Sequence, residues 1–437
     1  MNGIEGQILR TESGRECRVE KLLGSGGQGE VYRVIVNNQP MALKWYYPNY
    51  IKGDPHLKER LENAIKKGPP NDRFLWPMEM VYDPKGKTFG YIMPLREPRF
   101  KGIADLMKGH INPTFRSLCT VGYELADSFL QLHAKGLCYS DISYGNVFID
   151  PDTGEVRICD NDNVVVTGTD TVGVLGTPRF MAPEIVRGEA RPSVETDLFS
   201  LAVLLFYIFF MHHPLEGEKE AKIHCFDIPA MNKLYGYEPV FIYDPNDSSN
   251  RPVRGIHDNA IIYWEGEIYP KFFYDLFTRA FTEGLHDPKK RVRESEWRKA
   301  FVRLRDSIIY CQRCGAQNFY DAEKLRANRN HICWYCNTVI HLPPRIKIEN
   351  TVVVLNYDTK LYPYHLDDTV YDFSKPIAEV VRHPTQKNVW GLKNLTNENW
   401  YVTKPDGTIL EVQPNRSITI SLGIKINFGK ANGEINI

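Results

Sequence analysis

The sequence has no excess of charge of either sign: 54 Lys and Arg stand against 54 Asp and Glu in 437 residues. A chain whose main role is to coat nucleic acid or an anionic membrane carries a one-sign surplus, so that class is disfavoured, a local patch apart. Long apolar runs are also missing. The nearest, Leu198 to Met211, contains Ser200 and is bounded by Asp197 and His212-His213. It falls short of the roughly 20 apolar residues of a membrane span and reads as a buried core helix. Met1 to Arg18 is polar, without the apolar core of a signal peptide. No repeat of fixed period and no low-complexity tract occurs. Nine cysteines, an odd number, cannot all pair: Cys17, Cys119, Cys138, Cys159 and Cys225 are scattered and four are clustered. That pattern predicts reduced thiols plus a metal site, and a cytoplasmic setting.

What is present is an ordinary globular composition, 42% hydrophobic and 25% charged, which excludes wholesale disorder. At roughly 150 residues per domain, the length suggests about three domains. Residues 15–49 alternate apolar and polar around glycines and read as strands. Leu57, Leu61 and Ile65 recur every fourth position, one face of a helix over 55–66. Strand character returns over Val81–Leu95 with a turn at Pro84-Lys85-Gly86. A helix is predicted over Phe115–Ala134, a loop-rich stretch over 137–190, and mostly helices from 197 to 308, apart from a polar turn region at Asp244–Pro252. Residues 349–437 are strand-like, at Thr351–Leu355, Ile377–Arg382, Asn388–Lys393, Trp400–Thr403, Ile409–Val412 and Ser417–Leu422.

Gly24-Ser25-Gly26-Gly27-Gln28-Gly29-Glu30-Val31 fits G-x-G-x-x-G-x-V. Alone the pattern is weak, and a glycine-rich turn without a ligand stays open. The dinucleotide version needs a helix directly after the loop. Here Val31 to Val36 is strand sequence, which favours a hairpin folded over phosphate groups. Met41-Ala42-Leu43-Lys44 places a lysine on an apolar strand, where its ammonium needs negative partners. Two are expected: nucleotide phosphate, and a helix glutamate, Glu62, with Glu59 as runner-up.

Further on come Tyr139-Ser140-Asp141-Ile142-Ser143-Tyr144-Gly145-Asn146, then Asp160, Gly176-Thr177-Pro178, Met181-Ala182-Pro183-Glu184, Asp197 and His286 to Arg291. In this order, with the glycine loop and Met41–Lys44, these segments resemble the eukaryotic-type protein kinase. The resemblance implies an α+β, bilobal protein-kinase-like fold using ATP and Mg²⁺. By it, Asp141 accepts the hydroxyl proton, Asn146 and Asp160 hold Mg²⁺, and Lys44 holds the α- and β-phosphates. Gly24, Ser25, Gly26, Gly27 and Gly29 cover the phosphates. Leu23, Val31, Ala42, Met93 and Phe148 sandwich the adenine, with Pro94-Leu95 as hinge. Glu184 pairs with Arg291, and Asp197 ties the central helix to the catalytic loop. Gly176 to Phe180 resembles the Ser/Thr version of the substrate-side loop. Thr167, Thr169 and Thr171 are either autophosphorylation sites or solvated loop residues.

The chain departs from the family pattern at three places. Tyr139-Ser140 stands where the family has His-Arg, so a loop phosphate has no arginine partner, and activity without loop phosphorylation is expected. Ser143 stands where Ser/Thr kinases carry a lysine. Asp-Phe-Gly has become Asp160-Asn161-Asp162, in which Asp162 is expected to stiffen the loop or add a metal contact. A catalytically weak pseudokinase scaffold is therefore the alternative to a Ser/Thr kinase.

Cys311-x2-Cys314 and Cys333-x2-Cys336 are separated by 18 residues. Two such knuckles present four thiolates, a closed and hence structural Zn²⁺ site; a redox role is the minor alternative. Arg313, Lys324, Arg326, Arg329 and Arg345 outnumber Asp321 and Glu323 only modestly, which argues for a spacer over a nucleic-acid binder. Ser374 to Val380 and Asn399-Trp400 give residues 346–437 a resemblance to a degenerate forkhead-associated domain, a small all-β sandwich for partner docking. The domains expected are thus a kinase N-lobe (1–95), C-lobe (96–308), zinc ribbon (309–345) and forkhead-associated-like sandwich (346–437). Together with Cys159-Asp160-Asn161-Asp162-Asn163 this resembles bacterial kinases of the tellurite-resistance and stress type. That resemblance implies protein substrates, with a von Willebrand A-domain protein and a metal-dependent protein phosphatase as partners, and no membrane association.

Overall fold

Six antiparallel strands close a barrel: β1 (Ile8–Thr11), β2 (Glu16–Ser25), β3 (Gly29–Val36), β4 (Gln39–Tyr46), β5 (Glu79–Tyr82) and β6 (Phe89–Pro94), ordered β1-β2-β3-β4-β6-β5 with β5 returning to β1. Alternation of apolar and polar residues drives it, burying Cys17, Val19, Val34, Leu43 and Ile92 in one core. Val36 faces Gln39 across a two-residue turn, and Asn37 and Asn38 both take positive φ there (49° and 60°), as such a hairpin turn requires. The computed structural model describes residues 3–167, 176–386 and 388–436. The chain divides into two compact units, Met1–Glu265 with Asp275–Arg298, and Gly266–Tyr274 with Lys299–Ile437.

In the first unit, α1 (Pro48–Gly53) and α2 (Leu57–Lys67) follow the barrel's fourth strand. Leu57, Leu61 and Ala64 form the buried stripe of α2, and the Trp76 indole N–H donates to Ala64 O at 2.9 Å. The helix Phe115–Ala134 starts at Thr114, whose hydroxyl accepts the Ser117 amide at 3.1 Å. Val194–Phe210 is the expected core helix, buried from Thr196 to Phe210. Among the described residues no helix is long and apolar enough to cross a membrane. Short strands carry the motif loops: Val147–Ile149 pairs with Val156–Ile158, and Leu137–Cys138 with Val165–Val166. Arg291 forks onto Glu184 with two bonds of 2.8 Å.

In the second unit, Ile308–Tyr310 pairs with Gln317–Phe319 beside the clustered cysteines. Beyond them lie a six-stranded and a four-stranded antiparallel sheet. Ile346, Val353, Leu392, Trp400, Ile426 and Ile435 from both sheets share one core. Four strands of these two sheets were not expected: Arg345–Ile348, Lys360–Leu361, Lys425–Asn427 and Asn432–Asn436. They run for only two to five residues, too short for alternation to stand out from chance.

Candidate active site

Lys44 sits on β4, paired to β3 and β6, so its backbone cannot shift without breaking the barrel. Its ammonium is 2.7 Å from Asp162 Oδ2, 3.4 Å from Asp160 Oδ1 and 2.6 Å from Gln28 Oε1. Burial works against the charged form, but Asp162 and then Asp160 outweigh it, so Lys44 titrates above its usual range.

Glu62 is not the partner. It faces solvent, 46% exposed, and meets Lys58 at 3.6 Å. With Leu61 at the centre of the buried stripe, a turn of about 100° per residue carries Glu62 away from the cleft. Glu59 is more exposed still, at 72%. The charged α2 residue that is buried is Arg60, and it grips Asp54 through bonds of 2.9 and 2.5 Å.

The carboxylate on Lys44 instead comes from the turn Asn161–Asn163, which starts after Asp160 in the left-handed region (φ 50°, ψ 47°). Asp162 Oδ2 also accepts the Tyr46 hydroxyl. Asn161 fills its position by hydrogen bonding: its amide donates to Leu75 O at 2.9 Å and Ile158 O at 3.0 Å. Asp160 keeps its carboxylate open to the cleft, 42% exposed. The surrounding cleft walls partly desolvate it and raise its pKa, which Lys44 opposes and Asp162 reinforces.

Asp141 accepts the Thr177 hydroxyl at 2.7 Å on Oδ1 and the Asn146 amide at 3.2 Å on Oδ2. Burial lifts its pKa, with the Thr177 and Asn146 bonds acting the other way. Asp197 accepts the backbone amides of Tyr139 (2.5 Å) and Ser140 (3.0 Å), the two residues before Asp141. Ser140 holds φ at 70°, a strained setting that such bonds sustain. Tyr139 donates through its hydroxyl to Cys159 O, joining the segments of Asp141 and Asp160.

The glycine loop is a hairpin, closed by the Gly26 amide on Gly29 O at 2.9 Å. A Cβ on Gly29 would lie 2.1 Å from Trp45 O, so the fold itself demands that glycine. Cβ atoms on Gly24, Gly26 and Gly27 would meet no protein atom within 4 Å. Their smallness serves nothing in the fold and fits a ligand approaching the backbone closely. Ala42 and Met93 are buried against partly buried Val31 and Leu95, with Cys159 added to this wall. Leu23 is 45% exposed. Phe148 carries the Arg96 guanidinium 3.9 Å from its ring centre, so one face is already covered. Thr167 is exposed; Thr169 and Thr171 lie outside the described residues.

In the second unit the Sγ atoms of Cys311, Cys314, Cys333 and Cys336 all lie within 4.8 Å of one another. Cys311–Cys336 and Cys314–Cys333 are 3.6 Å apart, near the ~3.8 Å edge of a tetrahedron with Zn–S of about 2.3 Å. Contact with the Thr338 hydroxyl lowers the pKa of Cys336, while hydrogen bonding among the other thiols raises that of Cys314, so the four thiols share their protons. Sequence reasoning missed Asn318, buried, whose amide donates to Cys333 Sγ at 3.5 Å. The nine cysteines form no disulfide. The basic surplus is partly spent within the unit: Arg329 pairs with Glu267 at 2.6 Å and Arg345 stacks on Tyr320 at 5.0 Å.

A family model described as "Protein kinase domain" matches residues 17–262. Serine/threonine-protein kinase PknK of Mycobacterium tuberculosis is 24% identical over 206 residues, 46% of this chain and 18% of that protein. Protein kinase C delta type of Rattus norvegicus is 28% identical over 239 residues, 51% of this chain and 34% of its own. Serine/threonine-protein kinase WNK8 of Arabidopsis thaliana is 24% identical over 240 residues, 51% of this chain and 42% of its own. The chain thus spans less than half the length of these relatives.

Proposed function

The chain belongs to the protein kinase domain family, and from that premise we propose that it transfers the γ-phosphate of ATP to serine or threonine hydroxyls of other proteins or of itself. The observation that carries this reading is the convergence of Lys44, Asp160 and Asp162, joined through the Tyr139–Cys159 bond to the segment of Asp141. Lys44 steadies the α- and β-phosphates. Asp141, with its pKa lifted by burial and its carboxylate oriented by Thr177 and Asn146, orients the acceptor hydroxyl and takes its proton, help typically worth ~10²–10⁴-fold. Asn146 and Asp160 would hold Mg²⁺, which supplies charge neutralisation to the phosphates. Radiolabel transfer from ATP should vanish in Lys44→Met and Asp141→Asn; equal labelling by both variants and wild type rejects the assignment. Stabilisation by Mg-ATP without any transfer selects the scaffold alternative.

For the rest of the chain, the four cysteines would hold a structural Zn²⁺, a closed site without a position for reacting water. The two C-terminal sheets are read as a degenerate forkhead-associated-like sandwich that docks partners. This reading is supported by two antiparallel sheets that share one apolar core, and the degeneracy by Trp400, buried in a strand where the family has a turn glycine. A place among tellurite-resistance and stress kinases, with a von Willebrand A-domain protein and a metal-dependent phosphatase as partners, rests on the Asp160-Asn161-Asp162 signature together with these appendages. Free cysteines favour a cytoplasmic setting.

A further inference from the structure

A buried lysine that must hold phosphate needs a fixed negative partner, or it drifts and loses its proton. In this chain no α2 carboxylate does that work. Glu62 is on the surface with Lys58, and the buried arginine of α2 is committed to Asp54. Asp162 lies 2.7 Å from the Lys44 ammonium, and the two side chains are 1% and 6% exposed. The Tyr46 hydroxyl steadies the same oxygen, while Asp162 Oδ1 has no hydrogen-bond partner among the described residues. The carboxylate is therefore anchored through one oxygen and directed at the lysine, not woven into backbone. Asn161 pins the turn beneath it to Leu75 and Ile158.

We propose that Asp162 is the positioning residue for Lys44, replacing the expected helix glutamate. Deepening the phosphotransfer reading on which it rests, this assignment puts the lysine's counterion two residues from Asp160. One short turn then delivers both.

The test measures kcat/KM for ATP and the affinity for fluorescent Mg-ATP in wild type, Asp162→Asn, Glu62→Ala, Lys44→Met and Lys44→Met/Asp162→Asn. Asp162→Asn should lower kcat/KM by about 100-fold, on the scale of stripping a buried charge of its partner. Glu62→Ala should stay within about twofold. In the Lys44→Met background, Asp162→Asn should cost no further nucleotide affinity, since the two act as one pair. A merely structural Asp162 would lose affinity equally in both backgrounds, and that result overturns the assignment. A tenfold or greater loss in Glu62→Ala also overturns it. Position 62 is exposed, so this arm can overturn the assignment even should Asp162→Asn not fold. Wild type that binds Mg-ATP but transfers nothing defeats the phosphotransfer reading, while the affinity cycle still decides the Lys44–Asp162 assignment.

Discussion

Gly26 and Gly29 are both glycine for different reasons, and substitution separates them. At Gly29 a methyl would collide with Trp45 O at 2.1 Å; Gly29→Ala should lower the melting temperature, visible by circular dichroism. At Gly26 a side chain meets only open space. Gly26→Val should leave the melting temperature within about 1 °C and weaken Mg-ATP binding at least tenfold, because a branched side chain takes the room the phosphates need. Asn318 acts in the same single-residue manner on the cysteine cluster. Asn318→Ala should cost about 10–100-fold in zinc affinity, read by chelator competition, as outer hydrogen bonds to metal ligands usually do. The glycine loop and the four cysteines were legible as residues because spacing alone defines them. Asn318 was not, because its link to Cys333 crosses 15 positions without a motif.

At the scale of elements, the helix Phe115–Ala134 contributes a histidine that local patterning does not flag. His133 lies 5% exposed between Asp197, at 3.0 Å, and Glu294. Burial opposes its charge, but the bonds to Asp197 and Glu294 prevail and lift it to about 9, above the unfolded value near 6.5. Stability from this group is fully present below pH 6.5 and is lost as pH rises through about 9. At about 1.36 kcal/mol per unit, the loss across that window is on the order of 3 kcal/mol. Denaturant titrations should show wild type losing stability between pH 6.5 and 9, and His133→Gln, already less stable at pH 6.5, showing a flatter profile. A parallel decline in both would remove the argument. Because Asp197 also holds the amides of Tyr139 and Ser140, the same helix supports the loop of Asp141. Helix α2 is the converse case. Its periodicity announced a helix, but the buried stripe is Leu57, Leu61 and Ala64, with Ile65 only partly buried, and the side on which Glu62 emerges depends on how the helix is rotated against the barrel.

For the whole molecule, two compact units predict two unfolding transitions, not one. Mg-ATP at 100 times its Kd should stabilise the transition of the barrel-containing unit by about 2.7 kcal/mol. Chelation should act on the other, since metal binding in a small cysteine site is worth ~10–16 kcal/mol of folding energy. Calorimetry with each ligand withheld in turn checks both, and a single transition answering to both treatments contradicts the division.

The sequence by itself determined the kind of chemistry. A lysine on an apolar strand, paired acids and asparagine at set distances, glycines before a strand and two C-x-x-C knuckles are patterns of short range, readable because local backbone geometry makes spacing equivalent to position. Tertiary structure alone decided which carboxylate meets Lys44. Asp162 and Lys44 stand 118 residues apart, and their meeting follows from the phase of one helix and the curl of one turn, set by packing energies that no local spacing encodes.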